Sequence, residues 1–569
     1  MQHDYPRPTM VRSSFTSLNG AWKYLDGYRP SVSYPTEGKE IQVPFAPETP
    51  MSKIGAKPKE DCMTYGKKVM VHLRRGKRFL LHFEGVDYLA SLYVNGFFVK
   101  EHVGAYTRFS SDITSYLREG ENEIVLSCYD PSNRLQVRGK QRWEDYVYGC
   151  FYRTTSGIFR DVWMEEVPST YFDSLRLRTT DKKLSASFRI GGKLLSGMEL
   201  VLTLIDREGK EAKSKSFAVS SSYPACEITL QNANLWDTEK PYLYALEASL
   251  VKDGKVIDTI HSQCGFRLLE KKGDRIYLNG KEIFLKMILD QGYYPQSGLT
   301  APSYDALRQD VSLIKEMGFN GVRKHQKIED ERFYTLSDEM GLLCWLEMPS
   351  QYTYSRDTEE VFKKQWMEII AQNDAHPSLM AYVPFNESWG LNDRELIRRK
   401  DIQAFVNEVV RMTKAYDKTR FVISNDGWEH TKSDLLTLHI YEQDAKRFHD
   451  AFPLEKCITE NELCDRNPYC PGYHYHGEPI LFTEFGAASF RKDLKEDAWG
   501  YGTAVENEEE FLERLNSLVH TLASFDYCRG YCYTQLTDVE QEVNGLLRMD
   551  RTPKASLSEI RKIIENGGK

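Results

Sequence analysis

The sequence lacks any run of about 18 consecutive apolar residues, the length that a membrane-spanning helix needs. Its first residues, MQHDYPRPTM, are polar and show no charged start followed by an apolar run, so a signal peptide is not predicted. We therefore expect no membrane partner and a cytoplasmic location. If a leader has been removed from the chain, the expected location is the periplasm or the outside of the cell.

Cysteine pairs with the spacing of a metal site are also missing. The chain has 11 cysteines, an odd number, and no C-x-x-C pair; Cys528 and Cys532 are the closest two. This pattern predicts neither a disulfide framework nor a structural zinc site. Reduced thiols agree with the expected cytoplasmic location.

Positive charge is not in excess, since 75 Lys and Arg face 83 Asp and Glu, a net charge of -8. A basic groove for nucleic acid is therefore not expected. The 569 residues are 41% hydrophobic, which is typical of a globular protein with several domains. The 34 Tyr and 9 Trp suit either β-rich cores or half-buried surfaces that hold the faces of sugars.

The first 268 residues have the pattern of short strands joined by turns. Residues 82–104 alternate apolar and polar side chains around Asn95-Gly96, a strong hairpin signal, and residues 246–266 do so around Asp253-Gly254. Helical periodicity is nearly absent. We predict a jelly-roll-like β-sandwich over residues 1–168 and an immunoglobulin-like β-sandwich over residues 169–268.

From residue 269 onward, apolar runs alternate with amphipathic segments. The runs lie at 283–289, 319–323, 342–347, 379–385, 420–424, 435–441, 479–484 and 528–535. Helices are predicted at 303–317, 329–340, 358–374, 395–416, 508–525 and 555–565. Eight strands with helices between most of them predict a (β/α)8 barrel over residues 269–569, although 442–478 is long and irregular.

Two acidic side chains follow apolar strands of this barrel directly. The fourth strand ends with Asn386 and Glu387, and the seventh ends with Glu484. Functional groups of barrels gather at the carboxyl ends of the strands, and a carboxylate at the end of a buried strand costs desolvation unless it is paired or used. Both acids are therefore candidate catalytic residues.

A set of motifs in a fixed order gives the chain a specific resemblance. The motifs are LNGAWKY (18–24), VPFAPET (43–49), VDYLASLYVNG (86–96), TSGIFRDVWMEE (155–166), LWDTEKPYLYALEASL (235–250), CGFR (264–267), FNGVRKHQ (319–326), FNESWG (385–390) and TEFG (483–486). They resemble glycoside hydrolase family 2, the group of β-galactosidases, β-glucuronidases and β-mannosidases. The resemblance covers nearly the whole chain.

The resemblance implies a retaining, exo-acting hydrolase with roles for individual residues. Glu387 matches the family's acid/base and Glu484 its nucleophile. Arg323 matches the arginine that keeps the nucleophile ionised, and Asn386 matches the residue that binds the 2-hydroxyl of the sugar. Tyr441 lies where the family has a tyrosine bonded to the nucleophile. Chemistry requires one protonated and one ionised carboxyl group about 5 Å apart.

The chain departs from the family pattern around the sugar. Asp290 and Gln291 replace the usual Asn and His region after the first barrel strand, and Gln535 stands where many members carry a Trp platform. The second strand continues with Lys324 and His325. We predict a changed sugar pocket lined by Asp290, Lys324, His325, Trp389, His439, Trp428 and Gln535.

Other departures bear on the substrate and on metals. The Asn-x-Lys-Gly element of glucuronidases is matched by EVNG (542–545), which lacks the lysine, although Lys324 offers another positive charge. Where the large galactosidases bind magnesium, this chain has Gln351 and Thr353, and Phe151 replaces an aspartate. We therefore predict no metal and no cofactor. A β-galactosidase-like specificity is favoured, and β-glucuronidase, β-mannosidase, α-L-arabinofuranosidase or β-galactofuranosidase activity are the alternatives.

Two other classes of function share this fold. A transglycosidase uses the same pair of acids, and the sequence does not separate it from a hydrolase. An inactive carbohydrate-binding relative is disfavoured because Glu387, Glu484, Arg323 and Asn386 are all kept. The expected partner is an oligosaccharide, a polysaccharide or a glycoconjugate. Because dimers are common in the family, a homodimer is also expected by analogy.

Overall fold

The computed structural model describes residues 4–27, 33–460 and 466–568. Within these residues the chain forms two antiparallel β-sandwiches followed by a parallel barrel. The fold class predicted from the sequence is therefore confirmed. The predicted domains 1–168 and 269–569 and the irregular segment 442–478 include a few residues (1–3, 28–32, 461–465 and 569) that lie outside the described part of the chain.

Two facing antiparallel sheets make up the first sandwich. The larger sheet contains, in spatial order, Lys39–Val43, Gly20–Asp26, Cys62–Val71, Gly120–Tyr129, Leu89–Val94 and Phe97–Val103. The smaller sheet contains Phe15–Ser17, Val162–Pro168, Lys77–Phe83 and Phe109–Asp112. Every second residue of each inner strand is buried, so that Trp22 and Leu92 of one sheet pack against Phe83 of the other.

The second sandwich pairs a sheet of three strands with a sheet of four. The strands are Thr170–Thr179, Lys183–Gly192 and Ala225–Thr229 in the first sheet, and Glu211–Val219, Met198–Ile205, Tyr244–Lys252 and Lys255–Cys264 in the second. Phe188, Leu202 and Leu250 lie in their common core. This strand count is that of a constant-type immunoglobulin domain.

The predicted hairpin turns lie where the sequence puts them. Asn95 and Gly96 have φ of 50° and 83°, and Asp253 and Gly254 have φ of 50° and 72°. Two successive positive φ values are the requirement of a type I′ turn, which follows the right-handed twist of the flanking strands. Asn-Gly and Asp-Gly meet this requirement with little strain.

Eight parallel strands form the barrel. They are β1 (Leu285–Asp290), β2 (Gly321–Lys324), β3 (Leu343–Glu347), β4 (Leu379–Val383), β5 (Phe421–Val422), β6 (Leu436–His439), β7 (Ile480–Gly486) and β8 (Cys528–Thr534). The paired order is β5-β4-β3-β2-β1-β8-β7-β6. Between β5 and β6 there is no strand ladder, but the amide of His439 donates to the carbonyl of Gly427 at 3.4 Å. A small sheet, Leu269–Lys272, Arg275–Leu278 and Lys281–Glu282, precedes β1.

Helices surround this barrel. They are α1 (Tyr304–Glu316), α2 (Glu331–Met340), α3 (Arg356–Asn373), α4 (Glu395–Arg398), α5 (Lys400–Tyr416), α6 (Ala445–Ala451), α7 (Glu455–Thr459), α8 (Glu508–Ser524) and α9 (Leu557–Asn566). Ser303, Ser355 and Asn507 cap α1, α3 and α8 by accepting from backbone amides of the first turn. The predicted helix 395–416 is divided into α4 and α5, and the irregular segment after β6 contains α6 and α7.

The described residues contain neither a membrane-spanning helix nor a disulfide bond. Among them, no helix is both long enough and apolar enough to cross a bilayer. The ten described cysteines form no disulfide with one another.

A loop of the first sandwich, residues 137–153, reaches the mouth of the barrel. The amide of Arg138 donates to the carbonyl of Ser350 at 3.0 Å, and the hydroxyl of Tyr352 donates to the carbonyl of Gly139 at 2.5 Å. Gln541 donates to the carbonyls of Gly149 and Phe151 at 2.7 and 2.9 Å. One wall of the barrel mouth therefore comes from the first domain.

Candidate active site

Glu387 and Glu484 meet at the mouth of the barrel. Glu387 comes shortly after β4, and Glu484 lies near the end of β7. One oxygen of each carboxylate and one ring nitrogen of His439 all lie within 4.8 Å of one another. Both side chains are largely buried, with 14% and 8% of their surfaces exposed. The two acids thus lie side by side, and Glu387 borders a cavity at this mouth.

The backbone at Glu387 is held in an uncommon conformation. Glu387 and Ser388 have φ of 51° and 57°, in the left-handed region that costs a side-chain-bearing residue about 1 kcal/mol or more. The amide of Glu387 donates to the carbonyl of Asp426 at 3.0 Å, and that of Ser388 donates to Oδ1 of Asn425 at 2.8 Å. These bonds to the β5 end fix the turn that presents Glu387 to the cavity.

Arg323, on β2, is the cation at the centre of the site. Its side chain is fully buried and donates to Oε1 of Glu484 at 2.8 Å and to Oδ1 of Asn386 at 2.6 Å. It also lies 2.8 Å from Glu347 and 2.8 Å from Asp426. One guanidinium therefore joins carboxylates from three other strand ends.

These neighbours set the ionisation of Glu484. Burial raises its pKa, but the positive charges of His439 and Arg323 lower it more, and Tyr441 donates its hydroxyl to Oε2; the result is a pKa of about 2. Glu484 is therefore ionised at neutral pH. Glu347 differs, since burial exceeds the effect of Arg323 and raises its pKa to about 6.

Asn386 keeps a free donor beside these acids. Its oxygen accepts from Arg323, whereas its amide nitrogen is buried and has no hydrogen-bond partner among the described residues. A buried amide without a partner costs about 1–3 kcal/mol unless a ligand group satisfies it. A sugar hydroxyl in the cavity can fill this role.

Four further predicted residues lie near the two acids, and two of them line a cavity with Glu387. The ammonium of Lys140 lies over the ring of Trp389, 4.3 Å from its centre. His325 lies 2.9 Å from Oε1 of Glu347; burial, Lys140 and Arg323 lower its pKa, so the ring is neutral. Trp428 and His439 line a cavity of about 520 Å³ together with Glu387.

Asp290 and Lys324 do not lie where the sequence prediction put them. Lys324 is buried and lies 2.5 Å from Asp290 and 2.7 Å from Glu329. Because successive residues of a strand point to opposite faces, Arg323 enters the barrel interior while Lys324 points outward. The two residues form a buried ion pair behind the strands, and the structure does not bring them to the cavity beside Glu387.

Gln535 occupies the predicted end of β8 in a buried polar network. It accepts from Gln291 at 2.7 Å and donates to Asn544 at 2.7 Å. Gln291 also donates to the hydroxyl of Tyr152 at 2.8 Å, and Tyr152 donates to Glu542. Gln535 thus supports the pocket wall through its neighbours.

Several residues near the acids were not found from the sequence. Lys140 and Tyr152 belong to the first sandwich, and Glu542 follows β8. Tyr501 stacks on Tyr441 with ring centres 3.7 Å apart. Burial raises the pKa of Tyr501, and the nearby charges of Glu542, Glu387 and Glu484 raise it further. In the sequence, Lys140 lies in the basic stretch VRGKQRW (137–143), and Glu542 lies in the segment EVNG (542–545).

One group of described side chains has atoms close enough together to hold a metal ion, namely Glu387, His439 and Glu484. Two cations already compensate these carboxylates. Arg323 is ion-paired with Glu484 at 2.8 Å, and the pKa of His439 is raised to about 10 because Glu484, Asp426 and Glu387 outweigh burial. A divalent ion would have to overcome both positive charges.

Each of the three domains matches a model of a known protein family. The sugar binding domain of glycosyl hydrolases family 2 matches residues 41–168, the model named simply for glycosyl hydrolases family 2 matches residues 170–267, and its TIM barrel domain matches residues 269–567. The chain belongs to glycosyl hydrolase family 2. Its three domains match the family's models in order along residues 41–567.

Individual relatives of this family 2 protein differ in name. A Formosa agariphila relative is 32% identical over 63% of this chain and 43% of its own length. A β-galactosidase of Clostridium acetobutylicum is 28% identical over 86% of this chain and 53% of its own length. The chain spans about half the length of these curated relatives. The structure of Bifidobacterium dentium β-glucuronidase superposes with a TM-score of 0.79, covers 98% of both chains and is 19% identical.

Proposed function

We propose that the protein is a retaining, exo-acting glycosidase that works by double displacement. The observation that carries this proposal is the approach of the Glu387 and Glu484 carboxylates to within 4.8 Å. Retaining enzymes hold their acids about 5 Å apart, whereas inverting enzymes leave about 6.5–9.5 Å for a water molecule. Residues 137–153 and 466–468 form walls at the barrel mouth, which favours binding of the end of a sugar chain.

In the first step, Glu387 gives its proton to the glycosidic oxygen while Glu484 attacks the anomeric carbon. The bond from that carbon to the leaving oxygen breaks, and its electron pair stays on the oxygen. In the second step, Glu387 takes a proton from water, and the water oxygen displaces Glu484. The low pKa of Glu484 supports its role as the nucleophile.

The anomeric outcome tests this mechanism. With a cleaved 4-nitrophenyl β-glycoside, the first sugar released should be the β-anomer, followed by slow mutarotation; proton NMR during the first minutes measures it. An α-anomer formed first would contradict the retaining assignment. Transfer to an added sugar acceptor in place of water would identify a transglycosidase.

For the sugar itself, a neutral, β-galactosidase-like glycone is our first candidate. The carboxylate of Glu542 and the amide of Asn544 stand where glucuronidases have the Asn and Lys of their carboxylate-binding element. Lys324 does not replace that lysine, because Asp290 and Glu329 already pair with it. A carboxylate near Glu542 would be repelled. A panel of aryl β-galactoside, β-glucuronide, β-mannoside, α-arabinofuranoside and β-galactofuranoside tests this choice.

A uronic acid glycone is the second candidate, and Lys140 is the observation that favours it. Its side chain is buried beside Trp389 and His325, and among the described residues no carboxylate lies within 4.0 Å of its ammonium. Lys140→Met, which keeps the packing on Trp389, should raise KM for a uronide about tenfold or more and leave neutral glycosides nearly unchanged. Equal losses on both classes would exclude this role.

A further inference from the structure

His439 lies between the two carboxylates of the site. Its Nδ1 donates to Oε1 of Glu387 at 2.6 Å. Its Nε2 lies 3.5 Å from Oε1 of Glu484 and 3.6 Å from Oδ2 of Asp426. The ring is buried, and Nε2 has no closer hydrogen-bond partner among the described residues. No other described side chain is bonded to Glu387 at such a short distance and also faces Glu484.

The backbone is shaped to receive this ring. Gly427 has a φ of 86°, and a Cβ at this position would collide with the imidazole of His439. The amide of His439 also donates to the carbonyl of Gly427 at 3.4 Å, where the ladder between β5 and β6 is open. The imidazole therefore packs directly against the backbone of Gly427, and this contact fixes its distance to both acids.

The surroundings of the ring are mainly anionic. The charged or titratable groups that face it are Glu387 after β4, Asp426 after β5, Glu484 on β7, and the neighbouring rings of His430 and His325. Arg323 on β2 lies 2.8 Å from the same oxygens of Asp426 and Glu484 that Nε2 faces. Both ring nitrogens thus face carboxylate oxygens, which accept and never donate when ionised. The doubly protonated imidazolium satisfies both sides, and the raised pKa of His439, about 10, agrees with that form.

We propose that His439 is a positioning residue for both catalytic acids, an inference that rests on the proposed function. By bonding to Oε1 of Glu387, it leaves Oε2 as the oxygen that carries the proton to the leaving group. After that proton has moved to the glycosidic oxygen, the imidazolium stabilises the carboxylate that remains on Glu387. The same positive charge keeps Glu484 ionised before it attacks.

This arrangement predicts a specific change of the pH profile in His439→Gln. A nearby cation favours the ionised form of a carboxylate, and removing it favours the protonated form. The acid limb of kcat/KM reports ionisation of Glu484, and the basic limb reports loss of the proton from Glu387. Both limbs should therefore move to higher pH, by roughly one unit or more. The loss of kcat should be larger for alkyl than for dinitrophenyl glycosides, because a poor leaving group needs the proton more.

Tyr441→Phe is the matched control, since the hydroxyl of Tyr441 bonds to Glu484 and Thr534 but not to Glu387. Only the acid limb should move in this variant. His439→Asn and thermal unfolding of each variant distinguish a local change from misfolding. A uniform loss of kcat with both limbs unmoved would mean a merely structural role, and movement of the acid limb alone would remove Glu387 from the proposal. Either result overturns it.

A second readout does not depend on activity. In wild-type protein with 15N-labelled histidine, the resonance absent from His439→Gln should show two protonated ring nitrogens at pH 8. A neutral ring at that pH would overturn the proposal even if the enzyme is active. If the wild type cleaves no member of the glycoside panel, the proposed function fails, and this spectrum still decides the state of His439.

Discussion

Glu484→Ala is expected to lower kcat by roughly 10⁴-fold or more on every substrate, because no other group can form the bond to the anomeric carbon. The fold should persist, since the substitution removes one member of the network around Arg323 without leaving an unpaired acid. Steady-state kinetics and a thermal scan measure the two effects. Added azide should restore turnover and yield the α-glycosyl azide, because a small anion fits the space that the carboxylate leaves.

Glu387→Ala provides the comparison. Its loss should be small for dinitrophenyl glycosides and large for alkyl glycosides, since only the latter need protonation of the leaving oxygen. Azide should give the β-glycosyl azide here, because Glu484 still forms the intermediate. If Glu484→Ala retained near-normal turnover, or if the two variants gave the same azide product, the assignment of roles would be wrong.

Arg323→Met is expected to have the largest effect on stability. It leaves Glu347, Asp426 and Glu484 buried without their common cation, a change of about 3–5 kcal/mol. For a domain of this size, the melting temperature should fall by roughly 5–15 °C. Differential scanning calorimetry at pH 7 measures it, and activity should be lost as well.

The pH dependence of this deficit has a definite sign. In the wild type, the pKa of Glu484 is depressed to about 2, so its ionisation adds stability above the unfolded value of about 4.3 and ceases to do so as pH falls through 2. The difference between wild type and Arg323→Met should therefore be largest above about pH 5 and narrow in acid. Arg74→Met, at an exposed pair with Glu166, should change stability by less than about 1 kcal/mol.

The sequence predicted the strands of the barrel because each is a short apolar run, and it predicted Glu387 and Glu484 because each follows such a run. It also predicted Lys324 in the pocket, whereas one step along β2 turns a side chain from the interior to the outside. A motif that contains both Arg323 and Lys324 does not say which of them enters the barrel. Register does, and register depends on the neighbouring strands.

Lys140 and Tyr501 could not be found for another reason. Lys140 lies far ahead of Glu387 in the chain and comes near the site only because loop 137–153 docks on the barrel. Tyr501 is positioned by stacking on Tyr441, a contact without a sequence signature. His439 was named as a pocket residue, but its place between the two acids depends on Gly427 and on the missing ladder between β5 and β6.

Loop 137–153 has a consequence for how such an enzyme can change. Bond cleavage is encoded in the barrel, whereas one side of the vestibule that admits the substrate is encoded several hundred codons earlier. Substitutions in that loop can change which molecules enter the site, while Glu387 and Glu484 stay unchanged. A barrel excised by itself would keep both acids and lose the wall that this loop provides.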